Sequence, residues 1–314
     1  CSDIRRRTDE VLPQRTEVVV ARFDEALNWT DFYRDRADFT VYDKSDHPLS
    51  NSVRLPNVGR ESHTYLHHIV SRYNSLADWT VFTQGEMPSF GYHGHRRGGG
   101  HLNYGMSFDD YLEPQDHSLF VDTAAFTAAF SLSNNDSVFA SSLRMSYLNG
   151  NDALFSKNSC PASVDQWSDW WDMGAFADYV KHKVEIQHGM RVIDFFNKYI
   201  RPEPSDVLEV SFPQGARFAL TSKAIRARPR AYYEALLQTV SRNKDPWAGY
   251  YLEWAWPTIF GRAACSLPKR TNVISIEDAL FKFDALYHHM FPKDVARRLS
   301  EPEPVANASP SPSP

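Results

Sequence analysis

Cysteine is scarce in this chain. Three in 314 residues (Cys1, Cys160 and Cys265) allow at most one bridge and a leftover thiol, which excludes a disulfide-held scaffold. Long apolar runs are missing too, and nothing approaches the roughly 18 residues that a membrane-spanning helix needs. Positive charge is in deficit, with Lys+Arg 34 against Asp+Glu 39 and a formal net charge of -5, so there is no basic field to hold nucleic acid. Several catalytic signatures are absent as well: GxSxG, HExxH and GxxxxGK[ST]. The GRESHT segment that begins at Gly59 is not GxGxxG, so a nucleophile-elbow hydrolase, a zincin, a phosphate-loop NTPase and a dinucleotide fingerprint all drop out.

What is present is ordinary globular material, 42% hydrophobic and 14% aromatic, enough to bury a substantial core. The expected organisation is an N-terminal extension over 1–15, one α/β domain over 16–300, and a tail over 301–314. That tail, EPEPVANASPSPSP, is too rich in Pro and Ser to bury apolar surface. The chain opens on Cys1 and not on Met, and the expectation is of an upstream segment such as a signal peptide or membrane anchor. N-glycosylation patterns at Asn28, Asn135 and Asn307 point toward the secretory pathway, Golgi lumen or cell exterior, with the cytoplasm as the alternative.

The order of elements carries the fold class. Glu17–Ala21 is a continuous apolar run that fits a strand buried on both faces, and it breaks into the polar turn Arg22-Phe-Asp-Glu25. Phe39–Tyr42 is a second strand, and Tyr65, Leu66, Ile69 and Tyr73 recur at helical spacing. Trp79–Phe82 is a third strand, followed by the turn Gln84-Gly85-Glu86. Strand, turn, strand, helix, strand predicts a single α/β domain with a mostly parallel central sheet flanked by helices, Rossmann-like in plan. From Ser89 to Ser163 the signals weaken, and a long loop excursion over the strand ends is expected. Further helices are expected over Ser163–Lys183, over Arg191–Ile200, after an N-cap at Ser222, over Arg230–Ser241, and over Tyr250–Phe260 where Pro257 limits it.

Ligands of open α/β sheets bind beyond the carboxyl ends of the strands, which selects the turns bearing Asp24, Glu25 and Glu86. Converging carboxylates there suit a divalent cation, Mn or Mg, on a pyrophosphate; otherwise these are solvated turn residues. His63 and His67 stand one helical turn apart with Glu61 nearby, a pattern that fits zinc binding or general-base work, or histidines packed under a loop. His93, His95 and His101 with Arg96 and Arg97 form a Gly-rich basic loop suited to phosphate capture, or an ordinary loop. Glu253 lies among Trp247, Tyr250, Trp254 and Trp256. Partial desolvation there makes it a plausible base toward a hydroxyl, although a pair with Arg262 is the structural alternative.

Four blocks, EVVVARFDEALNW, LPNVGRESHTYLHHIVSRYNSLADWTVFTQGE, QGARFALTSKAIRARPRAYYEALL and PWAGYYLEWAWPTIFG, resemble in the same order a family of fungal, plant and algal proteins catalogued as a domain of unknown function. The resemblance spans about Glu17 to Gly261, apart from Ser89–Ser163. More distantly, the block order is similar to glycosyltransferases of the GT-A type. Those enzymes carry an acidic turn after the first strand, a D-x-D metal motif after a mid-domain strand, and a catalytic carboxylate near a later helix. That resemblance implies a sugar transferred from a nucleotide-sugar donor to a glycan or small-molecule hydroxyl acceptor. Arg22, Asp24, Glu25, Arg60, Gln84, Arg96 and Arg97 would then hold the donor, and Glu86 and Glu253 would act at the reacting centre. Gln84-Gly85-Glu86 stands where D-x-D is expected, so a metal would need Glu86 with His63, His93 or His95. The competing expectations are a metal-dependent hydrolase on Glu61, His63 and His67, and a catalytically silent carbohydrate-binding protein.

Overall fold

The computed structural model describes residues 14–88, 108–120, 124–132, 146–149, 168–169, 173–213 and 216–261. The first strand, β1 (Thr16–Arg22), carries Val18, Val19 and Val20, all without exposed surface. A 3₁₀ turn at Asn28–Tyr33 leads to β2 (Asp38–Asp43), then to the short β3 (Val53–Arg54) and the helix α1 (Arg60–Arg72). Next come β4 (Trp79–Gln84), α2 (Phe108–Leu112) and β5 (Ser118–Leu119). β6 (Ala124–Ser131), β7 (Ser146–Asn149) and β8 (Ser168–Asp169) precede α3 (Met173–Ile186). α4 (Val192–Phe195) continues as a π-helical turn, Phe196–Ile200, before β9 (Val207–Pro213) and β10 (Phe218–Thr221). α5 (Ser222–Arg226), α6 (Arg230–Val240) and α7 (Trp247–Ile259) complete the described part.

The central sheet has six strands in the order β3-β2-β1-β4-β10-β5. β1 pairs in parallel with both β2 and β4, with Val19 opposite Thr40 on one side and Phe82 on the other. β10 runs antiparallel to β4 and brings the antiparallel β5 with it. The chain is thus α/β with a mostly parallel sheet. Because side chains alternate along a strand, Val19, Phe82 and Phe218 enter one apolar layer with Tyr65, Leu66, Tyr233, Leu236 and Trp256. Val18, Val20, Val81 and Ala219 enter the opposite layer with Trp29, Tyr33, Phe108 and Tyr111. Both faces are covered, which is why β1 reads as an unbroken apolar run.

The excursion differs from expectation. It contributes α2, β5, β6 and β7, and β6 pairs antiparallel with β9 along its length, from Ala125 opposite Pro213 to Ser131 opposite Val207. A second sheet, β8-β7-β6-β9, results. Its strand AAFTAAFS is Ala-rich and weakly hydrophobic, so alternation alone does not announce it. Trp254 of α7 packs against this sheet through Phe212 and Phe130, at ring separations of 5.7 Å and 6.2 Å.

Smaller differences have local causes. Ser168–Asp169 is a strand and α3 starts only at Met173, so the helix expected from Ser163 is shorter. Thr221 caps α5, its hydroxyl accepting from the Ala224 amide at 3.1 Å, and Ser222 is the first helical residue. Pro257 does not end α7 but sits inside its last turn, where the missing N–H releases the Glu253 carbonyl from the helical ladder. Cys1, Cys160, Cys265, Asn135, Asn307, His93, His95, Arg96, Arg97, His101 and Arg262 lie outside the described residues. Among the described residues no helix is long and apolar enough to cross a membrane.

Candidate functional site

The carboxyl ends of β1, β2 and β4 and the N-terminus of α1 meet at one edge of the central sheet, because α1 runs back against the parallel strands it connects. Two polar regions of different character stand there.

The first is a closed network. Arg22 ends β1 buried, and its guanidinium donates to Asp43 Oδ2 at 2.5 Å, to Ser45 Oγ at 3.1 Å and, through Nε, to the Glu25 carbonyl at 2.9 Å. Asp43, with no exposed surface, also accepts from the Ser45 amide at 2.9 Å, the Ser45 hydroxyl at 2.7 Å and the Leu49 amide at 3.0 Å. Burial alone would raise its carboxyl, but these donors and Arg22 hold it below the usual range. Glu25 folds back on its own turn, its Oε2 accepting from the amides of Phe23 at 2.7 Å and Asp24 at 3.1 Å. Gly85 lies directly beneath it, and a Cβ there would stand 2.6 Å from Glu25 Oε2. Glu25 and Glu86 are therefore neighbours, as the turns β1–Asp24 and β4–Glu86 suggest, but Glu25 is spent bracing backbone. Asp24, with 77% of its side chain exposed, lies 3.8 Å from Arg22, and Glu86 is exposed while Gln84 is half-buried.

The second region is the start of α1, and its buried polar atoms are incompletely paired. Gly59 caps the helix at φ 66°, where a Cβ would meet the Val240 carbonyl at 2.3 Å and His63 Cβ at 2.6 Å. Arg60 follows at φ 49°, a left-handed conformation that costs a side-chain-bearing residue about 1–3 kcal/mol. The Gly59 and Arg60 amides donate to the carbonyls of Asn243 (2.8 Å) and Lys244 (3.3 Å), which braces this turn against the α6–α7 connection. Lys44, buried just past β2, donates to the carbonyls of Val58 (2.7 Å) and Arg60. Burial pushes its ammonium down to about 8, and nearby Glu61 pulls the other way.

From Glu61 to Tyr65, every residue carries a buried side-chain atom without a hydrogen-bond partner: Glu61 Oε1, Ser62 Oγ, His63 Nδ1, Thr64 Oγ1 and Tyr65 OH. Buried polar atoms are almost always paired, so each of these orphans marks a spot that water or a ligand completes, although five successive residues span more than one turn and face different sides of the helix. Arg60 Nε stands 3.7 Å from Glu61 Oε2, and its guanidinium lies 4.7 Å from the centre of the Tyr250 ring. Tyr250 in turn donates to Asp245 at 3.0 Å, and Asp245 also takes Tyr179 (3.0 Å) and Lys183.

Glu253 belongs to this second region. On α7 it lies between Tyr250 and Trp256, three residues from each, so the three share a face. Tyr250 touches Arg60, and Trp256 lies 6.4 Å from Tyr65, so that face looks onto the start of α1. The Tyr65 phenol is pushed well above its ordinary range by burial and then by Glu61, with Glu253 adding to the push and Arg217 opposing it. Arg217, buried just before β10, donates to Thr83 Oγ1 of β4 at 3.0 Å. The Arg217 guanidinium also lies 5.8 Å from the centre of the Tyr111 ring, in the layer on the other face of the sheet.

His63 and His67 stack at 6.2 Å between centroids. Burial, Lys44 and His67 push His63 down to about 4, so it is neutral near pH 7. His68 has no exposed surface, lies 3.1 Å from the Tyr42 hydroxyl, and burial pushes it down to about 3. No group of three His, Cys, Asp or Glu side chains able to hold a metal ion occurs among the described residues, so those residues do not fit a divalent ion held by the protein alone.

Lys44 and Arg217 carry no motif in the sequence, whereas Glu61 stands out there only as a candidate metal ligand or helix start and Tyr65 only as a helical-spacing position. The available signal was positional: Lys44 directly follows a β-rich run, and Arg217 directly precedes one, so both sit at strand ends.

No curated protein and no solved structure matches the chain. A family profile described as "Protein of unknown function (DUF3431)" matches residues 18–106 and 116–275, from within β1 to beyond the end of α7, and the chain belongs to that family.

Proposed function

We propose that the chain is a glycosyltransferase-like enzyme that moves a sugar from a nucleotide-sugar donor to a hydroxyl acceptor. The observation that supports this reading best is the meeting of Lys44 and Arg60 at the carboxyl edge of the parallel strands, with the face of α7 that carries Glu253 turned to the same turn of α1. Arg217 stands at that edge on the other face of the sheet, between Thr83 and Tyr111. A diphosphate leaving group gains negative charge as its bond to the sugar breaks. Cations fixed in a water-poor place stabilise that charge without reorganising. The positive end of the α1 dipole points to the same edge. In this reading the exposed Asp24 and the half-buried Gln84 at the end of β4 meet the nucleoside end, and Arg22 keeps the turn after β1 in place from beneath.

The transfer step balances simply if it inverts the sugar. The acceptor oxygen bonds to the anomeric carbon while the bond to the diphosphate breaks, the electron pair leaves with the diphosphate, and the acceptor proton passes to Glu253. A positioned base of this kind contributes roughly 10²–10⁴-fold. The described residues supply the positive charge through side chains, and no step is assigned to Mn or Mg. A divalent cation belongs to the proposal only as an added component that Glu86 and loop histidines would hold.

Calorimetry with UDP-, GDP- and CMP-sugars, with and without Mn²⁺ or Mg²⁺, tests the reading. One donor should bind, and Glu253→Gln should keep that affinity while losing turnover by at least about 100-fold. Absence of binding by every donor would end the proposal. Binding without turnover in the native chain would leave a carbohydrate-binding protein instead.

A further inference from the structure

Two orphans of α1, Glu61 and Tyr65, differ in chemistry from the cations around them. Glu61 is 7% exposed and its Oε1 only accepts; Tyr65 is fully buried and its hydroxyl lacks any partner. They stand four residues apart on one helical face, and a long helical side chain leans toward the N-terminus, so the Tyr65 hydroxyl reaches back over the turn that bears Glu61. Phe82, Phe218 and Trp256 hold the Tyr65 ring at centroid distances of 5.2, 5.7 and 6.4 Å, which leaves the hydroxyl little freedom to find another partner. Arg60 steadies the other carboxylate oxygen of Glu61 from 3.7 Å, so Oε1 remains the one that faces an occupant.

The occupant's class follows from this mixture. A phosphate offers only acceptors and would meet an acceptor at Glu61. An ammonium offers only donors and would leave the Tyr65 proton unused. A sugar hydroxyl gives one hydrogen bond and takes others, and so satisfies both atoms at once. We infer that the first turn of α1 is a hydroxyl-reading subsite in which Glu61 accepts from, and Tyr65 donates to, hydroxyls of the donor sugar. The inference rests on the sugar-transfer reading above and deepens it: Lys44 and Arg60 serve the diphosphate, while Glu61 and Tyr65 distinguish one sugar from another. A site built to bond a hydroxyl discriminates strongly against an analogue lacking it, because the buried groups are then left unpaired.

Glu61→Gln and Tyr65→Phe each change hydrogen bonding with almost no change of volume, and thermal melting verifies that both fold. Each is titrated with a UDP- or GDP-sugar that binds the native chain, and with UDP or GDP alone. Both variants should bind the nucleotide sugar at least tenfold more weakly and the bare nucleotide as the native chain does. Equal losses for both ligands would assign the residues to the diphosphate and overturn the inference. Unchanged affinity for the nucleotide sugar would overturn it too, leaving ordinary buried water as the occupant. If the native chain binds no nucleotide, the transfer reading fails separately. Titration with free glucose, galactose and mannose, followed by tryptophan fluorescence, then decides the subsite: a saturable response lost in both variants upholds it, and no response refutes it.

Discussion

The Arg22–Asp43 corner and the first turn of α1 lie at the same edge of the same sheet, yet they treat buried polarity in opposite ways. At the corner, Asp43 receives the Arg22 guanidinium, two backbone amides and a hydroxyl, and nothing is left over. On α1, consecutive residues from Glu61 to Tyr65 bury atoms that no protein group satisfies. A fold has reason to keep the former for its own sake, since a complete network holds the turn after β1. The latter is a standing cost, since each unsatisfied buried group destabilises by about 1–3 kcal/mol until water or a ligand meets it. Completeness reads as architecture, and incompleteness as a place kept for something else.

The contrast breaks most visibly at the corner. Arg22→Met strands the Asp43 carboxylate in the interior and should lower unfolding free energy by about 3–5 kcal/mol in urea titration, whereas replacing both partners with apolar residues should recover much of the loss. If the single variant is nearly neutral, the corner is not the architectural element described here. Next in size is Gly59→Ala. Its left-handed φ and the 2.3 Å approach of a Cβ to the Val240 carbonyl should cost about 3 kcal/mol by the same measurement.

A pH series separates the regions further. His63 and His68 sit at about 4 and about 3 when folded, against 6.5 for the free side chain, so below 6.5 the unfolded chain binds more protons than the folded one. Stability from these histidines is fully present above pH 6.5 and lost as pH falls through 4 toward 3, on the order of 2 kcal/mol or more. Asp43, held low, loses its contribution only below the normal carboxylate value of 3.8. His68→Gln should flatten the slope between pH 6.5 and pH 4 and leave the more acidic limb in place. Smallest in effect is Tyr65→Phe, which removes an orphan hydroxyl and should shift stability by less than about 1 kcal/mol in either direction, even as it impairs recognition of the sugar.

Much of the scaffold was legible because its signals are local. Val18–Val20 announces a strand covered on both faces, and the spacing of Tyr65, Leu66 and Ile69 announces a helix; both occur, although the first half of that helix is buried on every side and not on one face alone. The second sheet was not legible, since AAFTAAFS gains its identity only by pairing with Val207–Pro213, about eighty residues away. β3 and β5, two residues each, are too short to carry any period. At the site, carboxylates at strand ends were visible as types but not as roles. Glu25 could not be distinguished from a ligand-facing acid until its oxygen was found on the Phe23 and Asp24 amides. Lys44 and Arg217 were missed because burial of a cation depends on neighbours distant in sequence, such as the Val58 carbonyl and Thr83.

The contact between Gly59 and Val240 has a consequence for how such chains diverge. With only a hydrogen atom fitting between the cap of one helix and the last carbonyl of another, the two elements are keyed together. A relative that enlarges residue 59 must retract the end of α6 or relocate its Asn243–Lys244 bridge. Change at these positions should therefore come in matched sets, with the first turn of α1 inheriting whatever tilt the pair settles on.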